Sequence, residues 1–278
     1  MNRVAFSLAR MNLIAGNTFR EAVRQRLLPL LILVAAAMAG GAMLFRDFHF
    51  GSSELKFVMD VGFGALTFFG AILSIVASAQ LFFSEIERRT VLTVLAKPVW
   101  RAEFILGKLG GVLLLLLVYC VLVTALLAGL LWWCETALMK ADPGAFETGR
   151  TVAYAGVAWC GLVQWLKLGV LAALTLLVAS YARSSLFAVL AGFFALVTCQ
   201  LQSLARDYYG MMDSSLARGG LELLGLVFPN FQLFDVADRV AAGGTLSIGL
   251  ISGIAAYALA YLSVYGGLAV YCFRHREL

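Results

Sequence analysis

The chain has 278 residues, of which 62% are hydrophobic and only 13% charged. A soluble domain of this length carries about twice that share of charge, which excludes a water-soluble enzyme or binding module. The formal charge of +5 does not point to nucleic acid either, because the basic residues sort by side of a membrane rather than into one patch.

Residues 1–26 predict an amphipathic helix. Arg3, Arg10, Asn17 and Arg24 recur every seven residues on one face, while Val4, Leu8, Met11, Ala15, Phe19 and Ala22 gather on the opposite arc. A basic helix of this kind lies in the membrane plane, its arginines toward anionic headgroups. Six stretches with no charge or one charge follow: Leu27–Phe45, Val61–Ser84, Leu109–Cys134, Thr151–Ala182, Ser184–Ala205 and Val240–Phe273. Each reaches the roughly 18 residues that a helix needs to cross hydrocarbon. The expected fold is therefore an all-α polytopic membrane protein, with six transmembrane helices in one domain over residues 1–278. The first stretch is not read as a signal peptide, because 26 residues precede it and no small-residue cleavage pattern follows.

With the N-terminus placed in the cytoplasm, the inner side holds thirteen Lys/Arg against five Asp/Glu, and the outer side seven against eleven. Basic residues near the span ends mark the cytoplasmic side, so both termini are expected there.

The inner segment after the second stretch begins at Ser84. Ser84 followed by Glu87 has the form of a capping box, which predicts a new helix running to about Ala96, where Pro98 ends it. Residues 84–98 thus read as a short polar helix on the inner face. Asp142-Pro143-Gly144 is a turn in the acidic outer loop after the third stretch. Arg183-Ser184-Ser185 joins the fourth and fifth stretches so tightly that they must be antiparallel neighbours. The outer segment 206–244 contains the apolar run Leu223–Phe234, too short to span and broken at Phe228-Pro229-Asn230. Two readings fit it: a re-entrant pair of short helices, or an interfacial loop anchored by phenylalanines.

Chemistry-bearing residues are sparse. Cys120, Cys134, Cys160, Cys199 and Cys272 form no CxxC pair and read as small hydrophobes. His49 and His275 have no partners at metal-ligand spacing. Gly107-Lys108 lacks the upstream glycine and the following Ser or Thr of a phosphate loop. No catalytic set is visible, so no enzymatic activity, bound cofactor or metal is expected on this chain.

Lys167 is the one charge inside a stretch, with Gln164 one turn away. It either lines a path or reaches toward the outer headgroups. Thr198, Gln200 and Gln202 on the fifth stretch hydrogen-bond between helices or meet a polar substrate. Gln164, Lys167, Thr198 and Gln200 are the candidate substrate-path residues.

The arrangement resembles the membrane subunit of a type-2 ABC exporter. The inner segment carries the likeness: Glu85-Ile86-Glu87-Arg88-Arg89-Thr90-Val91-Leu92, then Pro98, Arg101 and Gly107-Lys108. Arg89 stands where that family usually has a small residue. Phe228-Pro229-Asn230-Phe231 is similar to a motif in permeases linked to copper-enzyme maturation or gliding motility. The resemblance implies a permease of the bacterial cytoplasmic (inner) membrane, working as a homodimer or heterodimer with a separate ABC ATPase subunit that carries ATP and Mg. It implies that residues 84–98 are a coupling helix, with Glu85, Glu87, Arg88, Arg89, Thr90, Pro98 and Arg101 at the ATPase contact. The lipid bilayer is the other partner, and no nucleic acid is expected. A non-transporting scaffold that binds an ATPase is the main rival reading. A secondary transporter is disfavoured because the stretches hold no carboxylates.

Overall fold

The computed structural model describes residues 7–24, 27–42, 54–87, 100–141, 152–209, 225–241, 244 and 246–275. Among them regular structure is entirely helical. In chain order the elements are α1 (Leu8–Arg24), α2 (Leu27–Ala42), α3 (Glu54–Glu87), α4 (Arg101–Ala141), α5 (Tyr154–Tyr181), α6 (Ser185–Tyr209), a 3₁₀ turn (Phe231–Phe234), α7 (Ala237–Ala241) and α8 (Ile248–Arg274). The protein is an all-α, multi-pass membrane protein. Among the described residues five helices are long and apolar enough to cross a bilayer: α3, α4, α5, α6 and α8. The sixth expected span, Leu27–Phe45, is described only as the 16-residue α2. That length rises about 24 Å, short of the ~30 Å hydrocarbon core, and residues 43–45 lie outside the described part.

Helix α5 is the hub. It is buried along most of its length and packs against α3, α4, α6 and α8. Without a hydrophobic drive between helices in lipid, close approach depends on small residues and interhelical hydrogen bonds. Both are present. A Cβ on Gly161 would overlap the Thr124 hydroxyl of α4, and one on Gly169 would stand 2.8 Å from Leu113 Cδ2. Ser74 Oγ of α3 donates to the Leu168 carbonyl at 2.9 Å, and Trp165 Nε1 donates to the Leu113 carbonyl at 3.0 Å. Tyr119 Oη of α4 donates to the Leu66 carbonyl of α3, closing the triangle of helices. The expected tight turn between α5 and α6 is present at residues 182–184, and the two helices pack together.

Two helix boundaries and one buried face depart from expectation. Helix α3 continues through Ser84 to Glu87, so Ser84 does not start a new helix. Its hydroxyl donates instead to the Leu81 carbonyl one turn back and to Glu21 Oε1 of α1. The Ser-x-x-Glu pattern is real, but it falls inside a helix whose serine bonds backward. Helix α4 overruns its uncharged stretch at both ends. Its 41 residues extend about 60 Å, twice the hydrocarbon thickness. Helix α1 buries a narrower face than predicted: Ala15, Thr18 and Ala22 are buried, while Leu8 is 64% exposed. That face lies on α4, where a Cβ on Gly111 would stand 2.6 Å from Thr18 Cβ and 2.8 Å from the Ala15 carbonyl oxygen.

Candidate functional site

Two polar constellations stand at different levels of the bundle. The first joins α1, α3, α4 and α8 around the flanks of residues 88–99. Glu103, in the first turn of α4, is fully buried. Its carboxylate accepts from Trp100 N, the residue preceding that helix, at 3.0 Å, and from Ser7 N, the residue preceding α1, at 2.7 Å. One side chain thus caps two helices, where an anion also meets the positive ends of their dipoles. Arg10 Nη1 of α1 lies 3.5 Å from the same carboxylate.

One turn on, Lys108 is 1% exposed; its Nζ donates to the Leu81 carbonyl at 2.7 Å and pairs with Glu85 Oε1 at 2.6 Å. Both contacts are on the last turns of α3. Arg101 Nη1 donates to the carbonyls of Phe273 (3.2 Å) and Arg274 (2.7 Å), a cation on the exposed carbonyls at the end of α8. Phe104 stacks on Phe273, which meets Phe82 edge to face. The helices that flank residues 88–99 are therefore bound to each other, to α1 and to α8.

The second constellation is a cavity of about 600 Å³ between α3, α5, α6 and the segment around α7. It runs along α3 from Asp60 to Ala71, a depth of about 16 Å. Lys167, midway along α5, is 2% exposed, and its Nζ pairs with Asp235 Oδ1 at 2.7 Å while lying 5.7 Å over the Phe231 ring. Gln164, 3% exposed, lines the same cavity, and its Oε1 has no hydrogen-bond partner. Asp60, Thr67, Asp238 and Gln200 complete the polar lining.

The segment that delivers Asp235 lies beside the middle of α8. Tyr261 Oη donates to the Leu226 carbonyl at 3.0 Å, Tyr265 Oη donates to the Val227 carbonyl, and Asn230 N donates to Tyr257 Oη at 2.9 Å. Gln202 Nε2 of α6 donates to the Gly225 carbonyl at 2.6 Å. Asn230 Oδ1 accepts from Gln232 N and so starts the 3₁₀ turn. Irregular backbone at the level of the span centres thus has its polar groups met by protein.

The family described as ABC-2 family transporter protein matches residues 11–205, well over half of the chain. The chain belongs to that family. No curated protein matches it. As an ABC-2 permease it is a membrane component of an ABC transporter.

The predicted site residues of this ABC-2 permease divide between the two constellations. Of the expected ATPase contacts, Glu85 turns inward to Lys108 and is 14% exposed on its side chain. Arg101 is turned to α8. Glu85 is held by the buried Lys108, and Arg101 by the carbonyls at the exposed end of α8. The Glu87 side chain, Arg88, Arg89, Thr90 and Pro98 lie outside the described residues. Of the four path residues, Gln164, Lys167 and Gln200 share the cavity. Thr198 does not; its Oγ1 donates to the Phe194 carbonyl of its own helix. Lys167 does not stand alone: Asp235 meets it at 2.7 Å. Phe228, Pro229 and Asn230 form the bend beside Tyr257.

Asp235, Glu103 and the tyrosine ladder escaped the sequence reading. Tyr257, Tyr261 and Tyr265 recur every four residues on one face of α8, a signal that was available. A lone lysine in a span also calls for an acid, but the sequence offers several.

Proposed function

We propose that this chain is the substrate-conducting permease of an ATP-driven exporter, moved by a separate ABC ATPase that binds ATP and Mg. In this reading it crosses a bacterial cytoplasmic membrane six times with both ends inside, pairs with a second permease, identical or related, and lays α1 in the membrane plane. Residues 84–98 carry the push of the ATPase, and the segment within 206–244 re-enters the membrane from the outer side.

The observation that supports a push at this place is the clamp around its flanks. Glu85 with Lys108, Glu21 with Ser84, and Glu103 with Ser7 and Arg10 bind α1, α3 and α4 into one unit. A force on residues 88–99 then moves three helices together instead of bending one loop. The cavity lined by Gln164, Lys167 and Gln200 is the proposed path.

The test is co-purification with the ATPase and ATP turnover in lipid nanodiscs, comparing the parent chain with Glu87→Ala/Arg88→Ala. This pair leaves Glu85 and its buried partner untouched. We expect ATPase stimulation by the permease to be lost while the melting temperature stays unchanged. Unchanged stimulation would remove the lever from this segment, and turnover without flux would favour the scaffold.

A further inference from the structure

The charges that line the cavity do not cancel. Lys167 is neutralised by Asp235 at 2.7 Å, which leaves Asp60 on α3 and Asp238 on α7 with no further cation in the lining. Asp60 feels the charge of Asp238 across the cavity; Lys56 also acts on Asp60 but is not part of the lining. At the inner wall is an acceptor without a donor: Gln164 Oε1, on a residue 3% exposed. A buried polar atom of this kind costs about 1–3 kcal/mol unless something meets it. The remaining walls are largely apolar, with Phe63 buried and Phe68 62% exposed beside the opening.

We infer that this cavity binds an amphipathic organic cation, its N–H-bearing charged end against Asp60, Asp238 and the Gln164 carbonyl and its apolar body along Phe63 and Phe68. An anion meets two like charges. A neutral acyl chain leaves both acids and the Gln164 oxygen unmatched. A bare metal ion suits the site poorly, since among the described residues no group of three or more His, Cys, Asp or Glu is arranged to hold one. A cation with N–H donors answers each feature at once, and an aromatic cation gains further from the phenylalanine faces. Calling this ligand a transport substrate rests on the permease reading above; the binding itself does not.

The full chain in nanodiscs, without any ATPase, is titrated against rhodamine 6G and followed by fluorescence anisotropy. This dye is an apolar cation with two N–H donors. Fluorescein, an anion on the same xanthene frame, is the counterpart. We expect saturable rhodamine 6G binding, with fluorescein showing none. Asp60→Asn/Asp238→Asn should weaken rhodamine 6G binding about tenfold or more, as loss of two charge contacts requires. Gln164→Leu should weaken it several-fold. Asp60→Asn alone, at an exposed position, provides a second reading if the double variant does not assemble.

Equal binding of the two dyes, merely non-saturable partition of rhodamine 6G, or unchanged affinity in the aspartate variants would overturn the inference. Because no ATPase is present, failure here leaves the transporter reading standing. Failure of ATPase coupling likewise leaves this binding result intact.

Discussion

Glu85→Gln separates a structural carboxylate from a partner-binding one. Lys108 is 1% exposed, and its ammonium has Glu85 at 2.6 Å, the Leu81 carbonyl at 2.7 Å and the Phe104 ring at 5.9 Å. Removing the carboxylate charge leaves a buried cation facing a carbonyl, an amide and a ring. Breaking a buried pair from one side costs about 3–5 kcal/mol, and the 14% exposure of Glu85 favours the lower end. For a chain of this size about 3 kcal/mol lowers the melting temperature by roughly 6–12 °C. Lys108→Met should cost a similar amount, about 3 kcal/mol, because it leaves a carboxylate whose Oε2 is itself buried. Glu85→Gln/Lys108→Met removes both charges and should be more stable than the sum of the single losses by about 2 kcal/mol.

The assay is thermal unfolding read by a thiol-reactive dye, since Cys120, Cys134, Cys160 and Cys199 are all buried and become reactive only as the bundle opens. A Glu85→Gln chain that melts like the parent, or a double variant whose losses simply add, would refute the buried-pair argument. Unchanged melting with lost ATPase coupling would return Glu85 to the partner surface.

The seam between α1 and α4 discriminates between neighbouring glycines. Gly111→Ala places a methyl 2.6 Å from Thr18 Cβ and 2.8 Å from a backbone oxygen, and should destabilise by about 1–3 kcal/mol, whereas Gly110→Ala meets Ala15 Cβ at an ordinary 3.5 Å and should melt like the parent. Equal melting of the two variants in the same thiol assay would disprove the seam. At the cavity, Asp235→Asn should cost about 1–3 kcal/mol by leaving Lys167 without its anion, with the 40% exposure of Asp235 softening the loss. Adding Lys167→Met should restore most of that stability, and a double variant weaker than either single would contradict the pairing.

Five of the six expected spans were legible because lipid leaves so little choice: an uncharged run of sufficient length favours a helix. The tight α5–α6 turn, the amphipathic α1 and the bend at Pro229 were legible for similar reasons, each being a local pattern with a local cause. Charges at helix ends were not. The uncharged run of α4 begins at Leu109, so Glu103 and Lys108 fell outside it, in the inner segment leading to the third span. In the structure they are buried within the helix, because residues on α1 and α3 neutralise them. A sequence records each charge but not which charge lies opposite. The same blindness turned Ser84 into a cap and left Lys167 without its partner Asp235.

The two constellations are linked by α3, and this bears on how a push could reach a ligand. Ser84 and Glu85 sit in the clamp at one end of the helix, and Asp60 lines the cavity near the other. No proline interrupts residues 54–87, so the usual cause of a sharp kink is missing. The distance from Glu85 to Asp60 is 25 residues, roughly 37 Å along the axis. A tilt of about 5° about the clamped end moves Asp60 by about 3 Å on that lever arm. Coulomb energy in a partly buried site falls steeply over such a distance. Under the transport reading, a small rotation of the clamp therefore suffices to draw Asp60 away from a bound cation. The Lys167–Asp235 pair stays behind on α5 and the bend beside α8, because neither residue belongs to the moving helix. Drive and release then share one rigid element, and the geometry requires no hinge between them.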